Sequence, residues 1–202
     1  MDVPCVVKIG GSLLDMPCLV ERLATHLPRP AAIVTGGGGA ADTVRAVDQQ
    51  VNLDECEAHW LCIHAMALHA RVLAAALRTA GVAARLVSDR AACRAACADG
   101  ELAVIEPVRW LEADHRDGAP VPHRWQFTSD SIAAHVARRL GARRLVLLKS
   151  TLPGGDGESL RASEAARLGV VDPCFADAAA GIERVELINL RDANLPRCRL
   201  MS

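Results

Sequence analysis

The sequence predicts an α/β fold built on a parallel sheet, and three observations carry that prediction. Two short apolar runs near the start, Val6-Val7-Lys8-Ile9 and Ala31-Ala32-Ile33-Val34, each pass into glycines and then into a helical pattern. Strand-like runs and amphipathic stretches go on alternating as far as Leu190, the pattern of β-α units that places ligands at the carboxyl ends of parallel strands. The chain has 202 residues, 51% of them hydrophobic, enough to bury one sizeable core. No stretch has the composition of a linker, so one domain over residues 1–202 is expected.

The first strand ends at Lys8-Ile9-Gly10-Gly11-Ser12, where two glycines remove side chains at a sharp bend. Bare N–H groups ahead of a helix make a cradle for phosphate, and Lys8 stands where its ammonium would reach an anion held there. Leu13 to Leu27 reads as a helix with Leu19, Leu23 and Leu27 on one face, Pro17 near its start and Pro28 and Pro30 closing it. The second strand, Ala31 to Thr35, runs into Gly36 to Gly39. A helix follows whose face would be Ala40, Val44, Val47 and Val51. Glu55 to Ala80 is a long alanine-rich helix stopped by Gly81. Its His59, His64 and His69 turn about 140° at each step, so they are expected to share no metal.

Val82 to Val87 and Leu102 to Ile105 read as strands around a short helix, Arg90 to Ala98, and Glu112 to Pro122 as a charged loop. Thr128-Ser129-Asp130-Ser131 opens a helix with Ile132, Val136 and Leu140 inward, ended by Gly141. A strong strand, Arg144 to Lys149, comes next, then a glycine-rich loop over Ser150 to Ser159, a short helix from Ser163 to Leu168, and a last strand from Val185 to Leu190.

Composition closes several routes. A net charge of -1 gives no electrostatic case for a nucleic-acid polymer or a membrane surface. Three Trp, two Phe and no Tyr leave little to stack bases on. No apolar run is expected to reach the length needed to span a bilayer, and the N-terminus lacks a basic segment with a cleavage signal, so a cytoplasmic protein is expected. The eight cysteines contain no CxxC pair. Cys93 and Cys97 share a helical face but have no neighbouring histidine or second pair, so no metal site is expected, and the cysteines read as small hydrophobes in a reducing compartment. There is no GxxxxGK[ST], no GxSxG and no HExxH, while Gly36 to Ala41 fits GxGxxA only after the second strand.

What remains is two glycine turns, a lysine at the end of each of two strands and an aspartate at a helix start. Lys8 and Lys149 are the only lysines among 23 basic residues, and a compact ammonium is not interchangeable with a guanidinium at a reacting phosphate. Phosphoryl transfer needs positioning and charge neutralisation above all, which two lysines held by Asp130 would supply. Read alone, Asp130 is a plain helix-start carboxylate favoured by the dipole.

Four segments in register resemble the amino acid kinase family: Lys8-Ile9-Gly10-Gly11-Ser12, Val34-Thr35-Gly36-Gly37-Gly38-Gly39, Thr128-Ser129-Asp130-Ser131-Ile132-Ala133-Ala134 and Leu147-Leu148-Lys149-Ser150. The resemblance implies an αβα sandwich with an open, mostly parallel central sheet, and an ATP- and Mg2+-dependent kinase acting on a small-molecule acceptor. It assigns Lys8 and Lys149 to the transferring phosphoryl group and Asp130 to orienting them. Gly10, Gly11, Ser12 and Lys149 fall to the nucleotide, and Gly36, Gly37 and Gly38 to the acceptor. A homo-oligomer is expected.

A looser set, Gly39-Ala40-Ala41-Asp42-Thr43-Val44-Arg45, Ala58-His59-Trp60, Trp125 and Val171-Asp172-Pro173-Cys174-Phe175-Ala176, is similar to the branch that phosphorylates (5-(aminomethyl)furan-3-yl)methyl phosphate in methanofuran-type cofactor biosynthesis. Arg45 and His59 then become acceptor contacts; as bare residues they read equally as a helix-surface arginine and a buried histidine. The loop after Lys149 departs from the family in lacking the longer D-G-[IV]-[YF] segment, and 51–58 is too short for the hairpin lid of acetylglutamate kinase. A carboxylate-accepting kinase and a non-catalytic ligand-binding member are the alternatives.

Overall fold

The computed structural model describes residues 3–153 and 155–201. Gly154, in the expected glycine-rich loop, lies outside them. Eight strands form one sheet: β1 (Cys5–Ile9), β2 (Ala31–Thr35), β3 (Ala84–Val87), β4 (Leu102–Ile105), β5 (Arg144–Lys149), β6 (Ser159–Arg161), β7 (Arg184–Asn189) and β8 (Arg197–Met201). Their order is β3-β4-β2-β1-β5-β7-β8-β6, and every pairing is parallel except that of β7 with β8. β1 lies between β2 and β5, so the chain leaves it on one side and returns much later on the other. Such a reversal opens a crevice at the carboxyl ends of the strands.

Helices cover both faces: α1 (Leu19–His26), α2 (Gly38–Val51), α3 (Glu55–Thr79), α4 (Arg90–Ala98), α5 (Pro107–Arg116), α6 (Ser129–Leu140), α7 (Ala162–Arg167) and α8 (Phe175–Ala178). The sheet separates two apolar cores. One takes Val6, Ala32, Leu145 and Leu147 with Ile132, Val136 and Leu140 of α6; the other takes Val7, Ile9, Ile33, Val146 and Leu148 with Leu19 and Leu23 of α1. Strand side chains alternate between faces, so Lys8 shares the face of Val6, and Lys149 that of Leu145 and Leu147, which is the face α6 covers.

Several sequence expectations need correcting. A single 3-10 turn occupies Gly11–Leu13, and the first α-helix starts only at Leu19, beyond Pro17. The expected loop from Glu112 begins inside α5. Pro107 opens that helix, the Glu106 carboxylate accepts from the Arg109 N–H, and Trp110, Leu111 and Asp114 are buried along it. Two strands at one side of the sheet lie beyond the expected set: the edge strand β6 is only three residues long, and β8, beside it, alternates exposed arginines with buried Cys198 and Leu200. On α2, Val47 and Val51 are exposed and only Ala41 is buried, so its valines do not form the inward face expected of them. The 25 residues of α3 are long and apolar enough to cross a membrane by length and composition, contrary to the expectation that no run would be. Here Ile63, Met66, Leu73 and Leu77 of that helix pack into the two cores. Of the cysteines, Cys5, Cys93, Cys97 and Cys198 are buried as small hydrophobes, but Cys18 and Cys56 are exposed.

Candidate active site

The register of β1 against β5 sets Lys8 opposite Leu147, and α6 crosses their face with its first turn at the carboxyl edge. The Asp130 carboxylate on that turn bridges both lysines: Lys8 Nζ lies 2.9 Å from Oδ1 and Lys149 Nζ lies 2.7 Å from Oδ2. All three side chains are largely buried. Burial by itself would raise the Asp130 carboxyl, but the charges of Lys8 and Lys149 and their hydrogen bonds hold it below its ordinary range. Burial, and then the like charge of Lys8, lower Lys149 below the ordinary lysine value in spite of Asp130. These distances favour an ionised carboxylate between two ammonium groups at neutral pH. Among the described residues two buried cations thus share one contacting anion, an imbalance that an incoming phosphate would relieve.

The two glycine turns abut each other. A Cβ on Gly11 would lie 2.4 Å from the Gly38 backbone nitrogen, and one on Gly36 would lie 2.7 Å from the Gly11 nitrogen. Close approach of two backbones therefore requires glycine at both positions. The amides divide into two groups. Gly10 N–H donates to the Leu148 carbonyl at 3.0 Å and Gly36 N–H to Ile9 at 2.8 Å, so these two extend the sheet, contrary to the expectation that the whole turn is bare. Among the described residues, Gly11, Ser12, Gly37 and Gly38 N–H groups donate to no backbone carbonyl, and the last stands at the start of the 14-residue α2. The Ser12 and Ser150 hydroxyls meet at 3.1 Å, tying the first turn to the end of β5.

Asp172 is a functional residue that no sequence motif above marks as one, although Val171 to Ala176 belongs to the looser resemblance. Its buried carboxylate accepts five hydrogen bonds: from Thr128 N and Oγ1 at 3.2 and 2.8 Å, from Ser131 N and Oγ at 3.0 and 2.5 Å, and from Cys174 N at 3.0 Å. Thr128 makes no side-chain cap of its own, so Asp172 caps α6 from a distant segment and holds the turn that carries Asp130. In sequence the only signal was an aspartate before a proline, which reads as an ordinary turn.

Two cavities adjoin this centre. One, of about 250 Å³, is lined by Gly11, Ser12, Gly36, Gly37 and Gly38, by Asp42, Arg45 and His59, and by an apolar wall that includes Ile63, Met66, Trp125 and Phe127. Arg45 lies over the Trp125 ring at 5.9 Å and pairs with Asp42 at 2.6 Å. The other, of about 530 Å³, is lined by Lys149, by Ser150 to Pro153 and by Leu168 to Val170. His69, read from sequence as an unrelated helix residue, hydrogen-bonds the Gly36 carbonyl from its Nδ1 at 2.9 Å, whereas His64 is exposed. Ten residues of helix bring His69 to within roughly 80° of His59, a coincidence of face visible in the spacing but hidden by the intervening His64.

A paired-lysine, aspartate-bridged centre beside bare glycine amides at the carboxyl edge of a parallel sheet defines a protein that handles phosphoryl groups. The model of the amino acid kinase family matches residues 4–151, and the chain belongs to that family, which makes it a phosphotransferase. It is 26% identical over 166 residues to the [5-(aminomethyl)furan-3-yl]methyl phosphate kinase of Methanocaldococcus jannaschii, covering 74% of this chain and 70% of that protein. Among solved structures, UMP kinase from Ureaplasma parvum superposes with a TM-score of 0.74 at 15% identity over 100% of both chains. Aspartate kinase from Synechocystis superposes with a TM-score of 0.67 at 14% identity over 98% of this chain and 40% of its own. Both likenesses confirm the fold: an open, mostly parallel sheet between helices.

Proposed function

We propose that the protein transfers the γ-phosphoryl group of ATP to a small acceptor that is already an anion, a phosphate monoester of the [5-(aminomethyl)furan-3-yl]methyl phosphate type. The observation that carries this reading is the pair of buried ammonium groups sharing one carboxylate between the two glycine turns. On this reading the triphosphate lies on the Gly11 and Ser12 amides, and the nucleoside occupies the cavity bounded by Lys149, Leu152 and Pro153. The acceptor lies against Gly37, Gly38 and Arg45. Lys8 and Lys149 take up the charge that spreads over the transferring group, and Asp130 fixes where they stand. An anionic acceptor needs no proton removed, which suits a centre where, among the described residues, the one carboxylate contacting the lysines is committed to both. For the same reason Mg2+ would be held by the phosphates it enters with rather than by Asp130.

The M. jannaschii relative supports the acceptor class by its own substrate. The reading includes a cytoplasmic homo-oligomer, for which the exposed Leu61, Leu68 and Val72 of α3 offer apolar surface to bury. The test is a thermal-shift screen with MgATP, followed by turnover of phosphate monoesters against amino-acid carboxylates. MgATP should raise the melting temperature, because a ligand that binds only the folded state stabilises it. Turnover confined to carboxylates would replace the acceptor, and no shift with MgATP would point to a non-catalytic member.

A further inference from the structure

The acceptor cavity also holds a buried group with an unmet need. His59 lies in the second turn of α3, is 4% exposed and lines that cavity. Its Nδ1 is 3.1 Å from the Arg124 carbonyl oxygen. A carbonyl only accepts, so Nδ1 carries the proton. Burial, and next the neighbouring His123, hold the imidazole below its ordinary range, which keeps the ring neutral. A neutral ring protonated at Nδ1 presents a bare lone pair at Nε2, and that atom is buried with no partner among the described residues. The ring is held in place by stacking on His123 at 5.6 Å, which in turn meets the edge of Trp60 at 5.3 Å.

Resting on the kinase reading above, we infer that His59 Nε2 accepts a hydrogen bond from an N–H or O–H group of the acceptor. The acceptor class is then a phosphate monoester with an apolar ring body and a separate donor substituent. Ile63, Met66 and Phe127 suit the body, and a second anionic group would meet the wrong face of a neutral imidazole. Asp42 is the competing reader of a cationic donor, but it is exposed and already paired with Arg45.

The experiment measures kcat/KM with MgATP on three furan-methyl phosphates differing at one carbon: aminomethyl, hydroxymethyl and methyl. Wild type should prefer the donor-bearing compounds over the methyl one by about 10- to 100-fold. The ratio of aminomethyl to hydroxymethyl identifies which donor is read. His59→Phe should collapse the preference over methyl to about twofold, and Asp42→Asn should retain it. A preference that survives in His59→Phe, or that vanishes in Asp42→Asn, overturns the inference while leaving the kinase reading standing. Absence of turnover on all three by wild type removes the furan-type phosphate acceptor, and the inference with it, while MgATP binding still reports on the kinase reading. Should His59→Phe fail to fold, 15N spectra of the wild-type imidazole decide the matter. A proton on Nδ1 with an Nε2 shift that moves when the acceptor binds supports the inference; a protonated Nε2 overturns it.

Discussion

Two buried carboxylates meet at the start of one helix and do opposite things. Among the described residues the Asp130 carboxylate pairs with two ammonium groups, brought by the ends of β1 and β5 on flexible stems. Asp172, one residue away from it in space through Ser131, is enclosed by backbone N–H groups and hydroxyls from three residues. Charged partners on long stems can turn toward an arriving phosphate without unfolding anything, whereas a carboxylate capping a helix cannot let go without releasing the turn. The difference separates a group that takes part in the chemistry from one that holds it in position, and four measurements test it.

The largest effect belongs to the lysines. Lys8→Ala and Lys149→Ala should each lower turnover by about 1,000-fold or more in steady-state assays while circular dichroism shows the fold intact. Near-wild-type turnover in either would remove the paired ammonium groups from the mechanism. Asp130→Asn should cost kcat about 100-fold and weaken MgATP binding, read by titration, far less, because the ammonium charges remain but lose their fixed separation. A larger loss in affinity than in kcat would make Asp130 a binding group.

Asp172→Asn should act differently. Its amide cannot accept from all five donors, so stability should fall by about 2 to 3 kcal/mol in urea denaturation, and kcat should fall with it while the KM for ATP stays within a few-fold. A variant with lowered stability and unchanged kcat would reduce Asp172 to a purely structural cap. The smallest effect is on pH dependence. Lys149 is shifted below 10.5 in the folded chain, so kcat/KM should decline as pH rises through that lowered value. Between the folded value and 10.5 the unfolded chain binds more protons at this site, so its contribution to stability should rise over the same range. Activity and stability moving in opposite directions on the alkaline side is the signature; a decline centred at or above 10.5 would contradict it.

Much of this architecture was legible in short windows of sequence. α4 and β4 fall on the predicted residues, and α3 ends one residue short of its expected limit, since a capping aspartate, a glycine stop and apolar periodicity act within a few residues. The parity of Lys8 with Val6, and of Lys149 with Leu147, was also readable, because alternation along a strand is strict. The misses share a cause. β6 and β8 are short strands at one side of the sheet whose polar outward residues resemble loop, α5 hides behind a proline that its first turn tolerates, and Val47 and Val51 follow a helical period without being covered. Period reports shape, while burial depends on what lies opposite.

By itself, then, the chain determined its alternation of strands and helices, the two glycine turns and the placement of two scarce lysines at strand ends, because each rests on interactions between near neighbours. Only the tertiary structure decided that β1 lies between β2 and β5, which is what brings the Lys8 and Lys149 ammonium groups to within 2.9 Å of the one Asp130 carboxylate. It also committed Asp172 to the start of α6, the Gly10 and Gly36 amides to the sheet, and left His59 Nε2 without a partner among the described residues. Those outcomes join segments distant in sequence, and their pairing is selected by packing the whole sheet between its two cores.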